Sequence, residues 1–168
     1  MKLQPDNSKP LAETALDRAA DLRREPARQW TALSDKVVLY GAVSLGAVIG
    51  GVLRALASNG TLALLGPGFP WGTFLVNVLG SFVIGFFATL TGPDGRVFAS
   101  TRQRQFVMTG ICGGFTTFSV FSLETIRLAQ EGKLAASVLN IGISIIGWFG
   151  AVWLGHLLAL RMNRLKGS

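Results

Sequence analysis

The sequence predicts an all-α membrane protein of four transmembrane helices, the third broken at Gly113-Gly114. Three observations carry this. The 168 residues are 49% hydrophobic with a mean hydropathy of +0.45. Their apolar residues fall into four blocks, 37–57, 71–90, 106–129 and 134–160, each with the roughly 20 residues that cross a bilayer as a helix. The net charge of +7 belongs to the helix ends of these blocks. Residues 1–35 hold six basic residues (Lys2, Lys9, Arg18, Arg23, Arg24, Arg28) against six acidic ones (Asp6, Glu13, Asp17, Asp21, Glu25, Asp35) and are neutral. A soluble basic patch of the kind that binds nucleic acid is therefore not expected. The single cysteine, Cys112, excludes an intramolecular disulfide.

Two domains are expected: a polar N-terminal extension over 1–35 and a four-helix membrane domain over 36–168. The extension lacks the hydrophobic run of a signal peptide. Leu11, Ala15, Ala19 and Leu22 can line one side of a short, weakly amphipathic helix ending before Pro26, and a disordered extension is the competing reading. Trp30 and Tyr40 stand where an interfacial belt places aromatic residues.

The first span carries Gly46 and Gly50 at the small-xxx-small spacing that lets helices approach closely. Arg54, near its expected end, either snorkels to the headgroups or serves a path. A Gly/Pro-rich loop is expected over 60–70. In the second span Thr73, Asn77 and Ser81 recur at i, i+4, i+8 and draw a polar line on one face. Such residues either bond back to their own backbone or line a hydrated path or polar interface, and Asn is the hardest of them to hide in lipid. Gly92-Pro93-Asp94-Gly95 is a turn, with Arg96, Arg102 and Arg104 around it. The fourth span repeats the polar line with Ser137, Asn140 and Ser144. The only histidine, His156, has no partner at metal-ligand spacing and reads as interfacial or packed.

The third span organises the chain. Three glycines (Gly110, Gly113, Gly114) precede Thr116-Thr117. Phe118 and Phe121 follow one turn apart, and Glu124 stands a turn further on. Unsatisfied backbone is costly in lipid, so a break here must be buried in protein or line a cavity. A helix–helix contact built on small residues is the plainer alternative. No nucleophile, base or metal set can be assembled, so no enzyme is expected.

These motifs resemble a known family. Gly113-Gly114-Phe115-Thr116-Thr117-Phe118-Ser119-Val120-Phe121-Ser122 resembles the signature of the Fluc (CrcB-type) fluoride channels. Gly72-Thr73-Phe74-Leu75-Val76-Asn77-Val78-Leu79-Gly80 is similar to their second-span motif, and Gly50-Gly51-Val52-Leu53-Arg54 to the end of their first. The likeness covers roughly 37–160. It implies a passive fluoride channel of the plasma (in bacteria, inner) membrane, built as an antiparallel dimer with two narrow pores. It also implies the site: Phe118 and Phe121 lining the pore, Asn77 and Thr73 from the second span, Glu124 nearby, and Ser144 on the fourth-span track. Gly113 and Thr116 match the break whose backbone carbonyls hold a structural sodium ion. Asn140 stands where many relatives carry tyrosine.

The residues suit that chemistry. Fluoride is small and strongly hydrated, so a selective path must replace its water with donors. Asn77, Thr73, Thr117, Ser122 and Ser144 can offer them. Aromatic edges are positive and can face an anion without a cation that would trap it. Freed carbonyls at a break suit a hard monovalent cation. Two other readings compete. A small dual-topology multidrug or cation exporter needs a carboxylate in the first span, and block 37–57 has none. A membrane scaffold explains the glycines but not the polar lines. Charge predicts both termini in the cytoplasm: Lys36, Arg96, Arg102, Arg104, Arg161, Arg164 and Lys166 share one side with the basic residues of the extension, against Arg54, Arg127 and Lys133 on the other. The antiparallel mate is then a paralogous chain or a minority of inverted copies.

Overall fold

A computed structural model describes residues 11–164, with side chains from Leu33 onward. The chain separates into two compact units between Val38 and Leu39, and every residue of the site lies in the second. Among the described residues the structure is all helical, with four stretches long and apolar enough to cross a membrane: Leu33–Leu65, Trp71–Leu90, Thr101–Gln130 and Leu134–Arg164.

Helix α1 (Leu11–Leu65) runs through Pro26, where the sequence reading ends a short helix. A proline removes one i→i−4 hydrogen bond and kinks a helix without having to stop it. The faces of Leu11, Ala15, Ala19 and Leu22, and the side chain of Trp30, lie outside the described residues. At its other end α1 also outruns expectation. Thr61 Oγ1 donates to Ala57 O and Ser58 O, both at 2.9 Å, so the polar run after Ala57 stays helical. Gly66 then takes φ +76°, a left-handed conformation that glycine adopts without strain, and its N–H closes on Leu62 O at 3.0 Å. The expected loop over 60–70 shrinks to 66–70, and Arg54 sits eleven residues inside the helix end rather than near it.

Helix α2 (Trp71–Leu90) crosses the final helix at backbone distance. A Cβ on Gly85 would meet Val152 Cα at 3.1 Å, and one on Gly155 would meet Phe86 N at 2.9 Å. The turn after α2 is tied by Arg104, whose Nη1 donates to Thr91 O and, at 2.8 Å, to Thr91 Oγ1. This arginine thus closes one carbonyl at the α2 terminus.

The third span is composite: α3 (Thr101–Gln105), a π-helix over Phe106–Cys112, α4 (Gly113–Phe115) and α5 (Phe118–Gln130). Ser100 opens it with a reciprocal cap, accepting from Gln103 N while the Gln103 side chain accepts from Ser100 N. Gly132 closes it at φ +76° in a Schellman turn, Lys133 N bonding Leu128 O at 2.9 Å and Gly132 N bonding Ala129 O at 3.0 Å. Lys133 Nζ donates to Glu131 Oε2 at 2.8 Å in this exposed turn and holds that carboxyl below its usual range. Helix α6 (Leu134–Arg164) returns across the bilayer.

Candidate functional site

The break in the third span stands at Thr116-Thr117, a correction to the sequence reading. Gly113 keeps helical angles (φ −64°, ψ −36°), whereas Thr116 (φ −86°, ψ 159°) and Thr117 (φ −153°, ψ 124°) are extended. The glycines serve a different purpose. A Cβ on Gly46 of α1 would lie 2.9 Å from Gly110 Cα, one on Gly50 would lie 2.7 Å from Phe115 N, and one on Gly114 would lie 2.9 Å from Ala47 Cα. Two small-xxx-small pairs, Gly46/Gly50 and Gly110/Gly114, therefore seat α1 directly on the third span. Gly113 is the exception: a Cβ there meets nothing within 4 Å.

What opens the helix is a side chain from α2. Asn77 Nδ2 donates to Thr117 O at 2.9 Å, and Thr117 N donates to Asn77 Oδ1 at 2.7 Å. The amide thus pairs both backbone groups of an extended residue. Each of these groups, left buried and unpaired, would cost about 1–3 kcal/mol. Thr117 in turn caps α5, its Oγ1 accepting from Val120 N at 3.2 Å. These bonds take away two donors that an unbroken helix would supply. Gly113 O loses the Thr117 N–H, and Thr116 O loses the Val120 N–H. They are the two carbonyls that the resemblance assigns to a sodium ion, and as hard neutral oxygens freed from the helix they fit that role.

Beside the break lies a cavity of about 280 Å³, lined among others by Asn77, Gly113, Thr116, Thr117, Phe118 and Trp148, with no charged side chain among the described residues of its wall. Phe118 is 71% exposed and Phe121 only 7%, although their ring centroids are 5.6 Å apart. Phe121 is locked inside by Trp148, centroids 4.9 Å apart and planes at 74°. The pair is thus built from one packed ring and one uncovered ring.

The remaining sequence-predicted residues lie away from the cavity wall. Thr73 is buried with its hydroxyl beside the Glu124 carboxyl, and Glu124 Oε2 is buried without a hydrogen-bond partner. Ser122 Oγ donates to Phe118 O at 2.9 Å, so its proton is spent on its own helix. The polar line of α6 divides in two. Ser137 Oγ donates to Thr125 O at 2.9 Å and Asn140 Nδ2 to Thr125 Oγ1 at 2.8 Å, which makes that end an interhelical clamp. Ser144, fully buried, keeps an Oγ with no partner.

Sequence reasoning missed Trp148, whose indole Nε1 is also buried without a partner. The signal was present: Asn140, Ser144 and Trp148 recur at i, i+4, i+8. Tryptophan did not register because it reads as an apolar or interfacial residue. His156, read as interfacial or packed, is exposed and bonded to Thr89 across 2.7 Å. Thr89 Oγ1 also lies 2.9 Å from Gly85 O, so its hydroxyl stands between its own helix and the imidazole.

The model of the CrcB-like protein, Camphor Resistance (CrcB) family matches residues 41–156. A protein of Rhodopseudomonas palustris named fluoride-specific ion channel FluC 1 is 60% identical over 136 residues, 81% of this chain and 96% of that one. Proteins named fluoride-specific ion channel FluC from Opitutus terrae and Rhodospirillum rubrum are each 49% identical. The first match covers 77% of this chain and 98% of the relative, the second 74% and 96%. The family match over 41–156, together with this similarity along nearly the whole length of the relatives, places this four-span chain in the CrcB-like (Fluc) family of membrane proteins.

Proposed function

We propose that this chain is a fluoride-selective ion channel, a passive conductor and not an enzyme, that lets fluoride leave the cytoplasm and so lowers its toxicity. The observation that carries the reading is the cavity at the break, where neutral donors meet the Phe118 ring, with Phe121 packed behind it at 5.6 Å between ring centroids. An anion can be held there by N–H and O–H groups and ring edges without a cation that would retain it. The names of the relatives support the same ion. In a bacterium the membrane concerned is the inner one. The exporter alternative is not favoured, since the first span offers no carboxylate over 37–57.

Within this reading Asn77 keeps one amide N–H beyond its bond to Thr117 and presents it to the ion. Phe118, Phe121, Thr117 and Thr73 form the path with Ser144, and Glu124 stands beside it. Ser122 contributes least, its proton being engaged. The uncovered Phe118 and the open face of Gly113 are what an antiparallel second copy, identical or paralogous, would cover. A sodium ion held by the Gly113 and Thr116 carbonyls of both copies would supply a fixed positive charge that joins the two breaks.

Two expected outcomes follow. Cells lacking their own fluoride exporter should regain growth in fluoride medium when they express this chain, and unchanged sensitivity despite membrane-inserted protein would contradict the reading. Both termini should be cytoplasmic in most copies, because the basic residues of the loop and termini outnumber Arg54, Arg127 and Lys133. Thiol labelling of terminal cysteines from outside intact cells checks this, and equal labelling of inward and outward copies would mean that charge does not set the orientation.

A further inference from the structure

The fluoride path has a donor that neither the motifs nor the family assignment supplies. Two side chains on one face of α6 carry buried polar atoms without partners among the described residues, Ser144 Oγ and Trp148 Nε1. They are four residues apart, so they stack about 5–6 Å from each other on that face. A buried donor left unpaired is costly, and native structures retain one chiefly where something else takes the bond. The Trp148 indole lines the cavity that also holds Asn77, Thr117 and Phe118, and its ring packs against Phe121. An indole is donor-only: it offers one N–H and no acceptor, and it carries no charge at any pH. That is a suitable group for an anion that must be gripped and then released.

We propose that Trp148 Nε1–H donates a hydrogen bond to fluoride as it passes between the cavity and Ser144. Trp148 thus has two parts in one residue, a ring that fixes Phe121 and an N–H that replaces a water of the ion. The inference rests on the fluoride reading above, and its test separates the two. Trp148→Phe keeps one aromatic ring beside Phe121 and deletes the donor together with the second ring of the indole. Fluoride efflux from liposomes holding this variant should fall about ten- to a hundredfold, the loss of a hydrogen bond to an ion, with the elution volume unchanged. In the wild-type protein labelled with ¹⁵N-tryptophan, one indole N–H resonance, identified by its absence from Trp148→Phe, should shift on adding sodium fluoride and not on adding sodium chloride. This second readout holds even if the variant folds poorly. A wild-type protein that conducts fluoride while the variant matches its rate and the indole signal stays still would overturn the role of Trp148 and leave the channel reading standing. A wild-type protein that passes no fluoride would overturn both.

Discussion

Asn77→Asp is expected to reduce fluoride flux by about a thousandfold. Two effects act in the same direction. The carboxylate cannot donate to Thr117 O, so the 2.9 Å bond that pairs the broken backbone becomes a contact between two acceptors. The new negative charge also sits at a position 5% exposed, in the wall of the cavity that the anion crosses. Two like charges 4 Å apart repel by about 4 kcal/mol at an effective dielectric of 20, and each 1.36 kcal/mol is tenfold in rate. Fluoride-electrode recording of liposome efflux checks the flux, and thermal unfolding shows how much of the loss is due to the backbone. A variant that folds and conducts like the wild type would place the anion elsewhere.

Gly114→Ala should deplete the folded protein, whereas Gly113→Ala should leave the fold of the single chain intact. A Cβ on Gly114 would lie 2.9 Å from Ala47 Cα and 3.0 Å from Ala47 C. Backbone atoms of a helix cannot rotate aside, so α1 must move off the third span, an overpacking loss of about 1–3 kcal/mol. The adjacent Gly113 faces open space in the single chain. The readouts are the thermal midpoint and the elution profile in detergent. Equal midpoints for the two variants would contradict the Gly46/Gly50 and Gly110/Gly114 crossing. A dimer that the wild type forms and Gly113→Ala alone loses would locate that glycine at the proposed interface between copies.

Much of this architecture was legible in the residues. Blocks of 20 or more apolar residues fix the spans, and Gly46/Gly50 announced a close helix crossing that the structure places on Gly110/Gly114. What composition could not show is which of two roles a pattern serves. Gly113-Gly114 reads as a broken helix, yet the break lies at Thr116-Thr117, because the bonds that open it come from Asn77, forty residues away. Ser137, Asn140 and Ser144 read as one line, yet the first two bind Thr125 and only Ser144 is left free. Partner choice across helices is a tertiary property that spacing does not encode. Trp148 was hidden for a simpler reason, since a lone tryptophan in a span reads as an apolar or interfacial residue.

A fluoride channel accepts fluoride and refuses larger anions. Liposomes loaded with equal fluoride and chloride, and holding the purified protein, measure this directly. The account predicts rapid, complete loss of fluoride with chloride retained at the rate of protein-free vesicles. Equal loss of both anions, or retention of both by correctly inserted protein, would contradict it.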